Sequence, residues 1–192
     1  MRKLTCLFLT VFLAGLFSSA SAQQTWKVDQ AHSFVEFAVQ HLGISLVKGN
    51  FREFSGELTY DGQDPTTMQL NGTIETKSVK TGHDRRDQHL QSQDFFSADK
   101  FPKMVFKSNS VSRTADGYAL VGDLTLLQTT RPVTLKMEFT GPVVDDKNRL
   151  RRLGLRLTGV LKRSEFGMTY GLNGGIGDEV YLELNGHFVS QL

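Results

Sequence analysis

The residues best suited to chemistry lie close together. Between Lys80 and Phe106 the chain reads KTGHDRRDQHLQSQDFFSADKFPKMVF, which gathers His83, Asp84, Arg86, Asp87 and His89. Imidazoles and carboxylates at that density could hold a divalent ion or relay a proton. The spacing argues against both. Zinc sites pair cysteines or set two histidines on one helix face, and His83 and His89 match neither arrangement. Arg86 and Asp87 are adjacent, so on a helix their side chains diverge by about 100° and do not face each other. Fixing the segment to the protein beneath it is their expected task, and holding a ligand headgroup is the functional alternative. Ser92 can cap a turn into Asp94-Phe95-Phe96 by accepting a backbone N–H. Phe95 and Phe96 could then close a tunnel or plug a core. The rest of the chain has no Gly-x-Ser-x-Gly elbow, no phosphate loop and no acid pair spaced for hydrolysis. Gly174-Gly175-x-Gly177 lacks the strand-to-helix setting of a nucleotide site. No catalytic residue and no metal ligand set is expected.

The elements that must position this segment are almost all strands. The first residues are set apart: Arg2 and Lys3 precede an apolar run, Leu4 to Phe17, and Ala20-Ser21-Ala22 is a cleavage signal. Residues 1–22 therefore read as a secretory signal peptide, and 23–192 as a single domain. The run is shorter than the roughly 20 residues a spanning helix needs. Cleavage would remove Cys6, the single cysteine, so the mature domain must rely on its apolar core rather than on disulfides. The chain has 22 Lys and Arg against 20 Asp and Glu, and two of the basic residues belong to the leader. A balanced charge gives no electrostatic reason to bind nucleic acid or an anionic membrane surface.

Period-two alternation recurs from Ser33 onward. Val35, Phe37 and Val39 share one face of a strand over 33–41, with Glu36, Ala38 and Gln40 on the other. A second run over 47–60 carries Phe51, changes phase at Arg52-Glu53, and resumes through Phe54, Gly56, Leu58 and Tyr60. That phase change predicts a bulge or bend. A third strand over 68–79 carries Leu70 and Ile74. After the charged segment, Met104 and Phe106 open a fourth, and Tyr118, Leu120, Leu124 and Leu126 line a fifth. Leu135, Met137 and Phe139 mark the sixth, Leu153, Leu155, Leu157 and Leu161 the seventh, and Val180, Leu182, Leu184 and Phe188 the last. The pattern predicts an all-β domain: an extended eight-stranded antiparallel barrel with a short helical insertion between strands three and four. Closure removes the sheet edges an open meander would expose; a two-sheet sandwich is the alternative. A barrel of this size either fills with side chains or encloses one small ligand. The inward face has no charge in mid-strand, so an enclosed ligand would be apolar and elongated.

Five motifs in order carry a family resemblance. They are His32-Ser33-x-x-x-Phe37-x-Val39-x-His41; Gly49-x-Phe51-x-x-Phe54-x-Gly56; Arg86-Asp87-x-His89-Leu90-x-Ser92-x-Asp94-Phe95-Phe96 with Phe101-Pro102; Gly122-Asp123-Leu124-Thr125; and Arg163-Ser164-x-Phe166-Gly167-Met168. Over residues 25–190 the chain resembles the YceI-like family of bacterial periplasmic proteins. The family's usual Asp in the last motif is Glu165 here. The resemblance implies a lipocalin-like barrel in the periplasm that binds or carries a long-chain polyisoprenoid or an isoprenoid quinone, with no covalent cofactor. The expected tunnel wall is Val35, Phe37, Val39, Phe51, Leu70, Ile74, Phe95, Phe96, Met104, Phe106, Leu124, Leu135, Met137, Phe139, Leu155, Leu157, Phe166, Met168, Leu182 and Leu184. The expected polar rim or lid network is His41, Arg86, Asp87, His89, Arg163 and Glu165, with Arg86 and Asp87 reaching separate wall partners such as Arg163 or Glu165. Expected partners are the lipid itself and, transiently, the membrane or a membrane-bound redox protein, for a monomer or homodimer. Two other readings are a stress-related barrel with a filled core and a quinone-linked electron-transfer partner.

Overall fold

The structure, a computed structural model, describes residues 23–192; the leader expected over 1–22 lies outside the described residues. The strands are β1 (Gln24–Val28), β2 (Phe34–His41), β3 (Ser45–Phe51), β4 (Phe54–Tyr60), β5 (Gln69–Glu75) and β6 (Val79–Lys80), then, after helix α1 (Asp84–Gln91), β7 (Lys103–Thr114), β8 (Gly117–Leu126), β9 (Thr129–Asp145), β10 (Leu150–Lys162) and β11 (Ile176–Gln191). They form one antiparallel sheet that closes on itself.

The eleven segments make eight barrel strands because three strands are interrupted. β1 and β2 both lie along β11, Val28 opposite Phe188 and Asn185 opposite Phe34. Between them Asp29 turns the chain. Its Oδ1 accepts from the Ala31 backbone N–H at 3.1 Å, and Ser33 Oγ donates to the Asp29 carbonyl at 2.7 Å while accepting from the His187 N–H at 2.9 Å. Short polar side chains offer the backbone partners that compete with a ladder, and here they replace the missing ladder bonds. β3 and β4 part at Arg52-Glu53, the position of the phase change. A 3₁₀ turn over Thr76–Ser78 separates β5 from β6. β1 itself has no counterpart in the sequence reading. Five residues with a single large apolar side chain, Trp26, give too short a pattern to count.

Glycine placement follows from what the inner face must hold. Phe37 sits opposite Gly49, and a Cβ on Gly49 would run into the Phe37 ring. A Cβ on Gly122 would come within 2.5 Å of the Phe106 ring. Both aromatic rings therefore lie over bare backbone, which lets them line the interior without closing it.

Two packed clusters occupy the interior. One gathers Trp26, Leu58, Tyr60, Leu120, Met137 and Leu153 with their neighbours; Trp26 and Leu58 are fully buried. The other joins Phe51, Val79 and Met104 to Phe95, Phe96, Phe166 and Met168 from the segments that cross the barrel mouth.

Candidate functional site

The charged segment lies across the end of the barrel where β6 meets β3. Helix α1 packs against β6, and Leu90, Phe95 and Phe96 turn inward onto the second cluster. Phe96 meets the Phe51 ring edge-on at 5.5 Å, an arrangement that adds to simple area burial. The turn after the helix is fixed by backbone bonds, Phe96 N to Leu90 O at 3.0 Å and Ala98 N to Gln91 O at 2.9 Å. Ser92 Oγ accepts from Asp94 N at 3.3 Å, as its position in the sequence suggests.

Asp87 is the pin. It is 3 % exposed, and its Oδ1 accepts from both the backbone N–H and the hydroxyl of Thr81, at 2.8 and 2.6 Å. Arg86 donates to the same residue, Nε to Thr81 Oγ1 at 2.7 Å and Nη2 to Thr81 O at 2.8 Å. The expectation of separate wall partners is thus corrected. Arg86 and Asp87 do not face each other, but both close on Thr81, because the chain leaving β6 folds back under the first helical turn. Burial pushes the Asp87 carboxyl upward, but the Thr81 bonds and Lys80 outweigh it and hold the group below its ordinary value. A depressed carboxyl stabilises above its unfolded pKa and loses that contribution as pH falls through its folded one. The lid should therefore stay pinned at neutral pH and loosen only below about pH 4. Asp87→Asn should loosen it at pH 7, costing roughly 1–3 kcal/mol. Hydrogen exchange over residues 84–96 measures both; equal protection in parent and variant at pH 7 would show that Asp87 does not hold the helix.

The remaining rim residues divide. His89 Nε2 is 2.7 Å from Asp94 Oδ2, and its ring packs edge-on to Phe95 and Tyr170, each at 5.0 Å. Arg163 is buried and spends its guanidinium on backbone carbonyls of the following loop. Glu165 does not line the interior; its carbonyl, rather than its side chain, accepts from Arg131 Nε at 2.7 Å. The carboxylate that this motif does engage is Asp178, accepting from the Ser164 N–H at 2.9 Å and hydroxyl at 2.8 Å. Burial raises the Asp178 carboxyl, and the Ser164 bonds with Arg163 and Lys162 bring it below its ordinary range. Nothing in the sequence flagged Asp178, which lies outside the alternating pattern beside a glycine-rich loop.

Beneath the lid lies a cavity of about 400 Å³. All the expected wall residues line it except Met137, Phe139 and Phe166. Those three are corrected to core: Met137 and Phe139 belong to the first cluster, where Phe139 packs on Tyr60 at 5.6 Å, and Phe166 is 1 % exposed in the second. Alternation fixes which face a side chain takes, not how far along the barrel the open space extends. Leu126, Val133, Leu161, Ile176, Val180 and Phe188 line it as well. His41, His89, Arg86 and Arg163 supply polar groups at its lid end; Asp87 does not reach it. The space is well above the roughly 150 Å³ of an apolar cavity able to bind benzene and falls among small-molecule pockets of about 300–1,000 Å³. A barrel packed solid is excluded by it.

The YceI-like domain family matches residues 26–188. A UPF0312 protein of Yersinia enterocolitica is 38% identical over 183 residues, 94% of each chain. The crystal structure of the Campylobacter jejuni YceI protein superposes with a TM-score of 0.67 at 30% identity, covering 79% of this chain and 90% of that one. A polyisoprenoid-binding domain from Saccharophagus degradans shares the fold at a TM-score of 0.66 and 14% identity, covering 88% of this chain and 99% of that one. A domain match over nearly the whole barrel, a relative at this identity, and a lidded eight-stranded architecture place the chain in the YceI-like family.

Proposed function

We propose that this protein binds and carries a long-chain amphiphile of the polyisoprenoid class, either a polyisoprenoid or an isoprenoid quinone, and does not transform it. The observation that carries the reading is the lidded apolar cavity. Each CH₂ taken out of water contributes on the order of 0.8 kcal/mol, so a chain of several isoprene units binds well without directional contacts. The Saccharophagus degradans domain of the same fold, described as polyisoprenoid binding, supports the ligand class. His41, His89 and Arg86 are the groups available to a headgroup at the lid end.

The leader expected over residues 1–22 and the family resemblance support a periplasmic location. The β2–β3 hairpin supports transient membrane contact: Leu42, Ile44 and Leu46 are all exposed, Ile44 by 82 %, and the neighbouring His41 lines the cavity. Exposed apolar groups gathered at one end mark an interaction surface, and this one adjoins the lid.

The test is native mass spectrometry of the exported protein, with an organic extract of the same sample. The expected result is a non-covalent adduct whose mass repeats in isoprene units among its fragments, with quinone absorbance if the headgroup is a quinone. Only the ligand-free mass, together with an extract containing no lipid, would overturn the proposal.

A further inference from the structure

The interruption between β1 and β2 brings together three ligating groups that are far apart in the sequence. Asp29 and His32 stand on the turn, and His187 on β11 directly across the seam where the first barrel strand meets the last. One ligand atom from each of Asp29, His32 and His187 can be chosen so that all lie within 4.8 Å of one another. His32 Nδ1 is 2.8 Å from Asp29 Oδ2, and the two imidazoles meet edge-on with centroids 5.5 Å apart. We propose that Asp29, His32 and His187 form a binding site for a divalent transition-metal ion such as Zn²⁺, two imidazole nitrogens and one carboxylate oxygen leaving the remaining position to water.

The backbone is built to hold these groups in place. The Asp29 N–H donates to the His187 carbonyl at 2.7 Å. Ser33 Oγ accepts from the His187 N–H at 2.9 Å and donates to the Asp29 carbonyl at 2.7 Å. The two strands carrying the ligands are thus cross-bonded at the ligand positions themselves. Asp29 Oδ1 is engaged by the Ala31 N–H, which fixes the carboxylate and leaves Oδ2 aimed at His32. Supporting bonds of this kind orient metal ligands before the ion arrives. Two imidazoles and a carboxylate suit zinc, copper or nickel better than calcium or magnesium, which prefer all-oxygen sets.

Bond lengths of about 2.0–2.2 Å place tetrahedral ligands roughly 3.4 Å apart, so His32 Nδ1, now 2.8 Å from Asp29 Oδ2, must swing slightly away from the carboxylate to admit an ion. His32, whose side chain is 66 % exposed, is free to make that movement. One group opposes binding: Arg152 Nη1 is 3.8 Å from Asp29 Oδ2. Its Nε is bonded to Asp145 at 2.8 Å, which spends part of that charge elsewhere. A bound ion would join the interrupted strand to β11 and staple the barrel seam.

The experiment is a Zn²⁺ titration of the mature protein by calorimetry, with thermal melts in Zn²⁺ and in chelator, and Co²⁺ absorption as a signature of nitrogen ligation. One equivalent should bind, and the melting temperature should rise and fall back on chelation. His32→Ala, at an exposed position that leaves the fold intact, should weaken binding at least tenfold; His187→Gln should do the same. Arg152→Gln should tighten it several-fold, an effect scattered surface binding would not give. Parent binding no tighter than that of His32→Ala, or no response to Arg152→Gln, would overturn the assignment.

Discussion

Leu184→Trp should cut lipid retention about tenfold while leaving the melting temperature of the lipid-stripped protein unchanged or higher. Leu184 lies on β11, opposite Val35 on β2 and Leu157 on β10, and its side chain lines the cavity. In a filled core the larger indole would force neighbours off their rotamers at a cost of roughly 1–3 kcal/mol. Here it enters open space of about 400 Å³, gains contacts and removes volume from the ligand. Excluding only two CH₂ groups forfeits about 1.6 kcal/mol at 0.8 per group, and 1.4 kcal/mol is a factor of ten in affinity. Retention therefore falls while the melt of the lipid-free protein does not, which no loss of folding can imitate. The lipid-to-protein ratio of an extract and a thermal melt suffice as measurements. A variant that melts several degrees lower and still carries lipid at the parental ratio would mean the ligand lies elsewhere.

How much of this was legible in the sequence depends on the kind of statement. Alternation such as Val35-x-Phe37-x-Val39 determines the face of a strand, so the strands and the irregularity at Arg52-Glu53 could be read directly, while closure into a barrel rather than a sandwich rested on the need to remove sheet edges. The aromatic pair Phe95-Phe96 following a charged helical stretch was enough to expect a cover, and both rings do turn inward. What alternation cannot supply is depth. Met137 and Leu135 share a face and a strand, yet only Leu135 reaches the cavity, because Trp26, Leu58 and Tyr60 fill the barrel around Met137. Nor can it supply contacts between distant segments. Arg86 and Asp87 were rightly read as a fastening, but their shared partner Thr81 depends on how the loop after β6 doubles back. Asp29 and His187 meet only because the last strand closes on the first. A ligand set divided between the two ends of the chain has no local spacing to recognise.

Arg163 shows the same limit, and it carries the largest expected loss of stability. It looked like a rim residue for a headgroup; in the structure it is 2 % exposed and opens the 3₁₀ turn Arg163–Phe166. Its guanidinium donates four bonds to the chain that follows: Nε to Gly177 O at 2.8 Å, Nη1 to Met168 O at 2.9 Å and Tyr170 O at 2.8 Å, and Nη2 to Ile176 O at 2.9 Å. Burial lowers the guanidinium pKa and Asp178 partly counters it; an arginine side chain keeps its proton in proteins, so the group is a cation surrounded by carbonyl dipoles. Arg163→Ala strands those carbonyls and leaves Asp178 without its neighbouring charge. A cost of about 3–5 kcal/mol is expected, as when one partner of a buried charged network is removed. At roughly 2–4 °C per kcal/mol for a domain of this size, the melting temperature should fall by about 6–20 °C. Arg163→Lys should recover little, since an ammonium is a point donor and cannot span four carbonyls in a plane. The consequence reaches the lid, because Tyr170 braces His89 and Phe95 through ring contacts at 5.0 and 5.3 Å. A loop released from Arg163 should release that brace, so lipid exchange in Arg163→Lys should be faster than in the parent even where the barrel stays folded. Thermal melts of both variants and the exchange rate of a labelled lipid from Arg163→Lys test this directly. A lysine variant that melts with the parent would reduce the guanidinium to one replaceable charge.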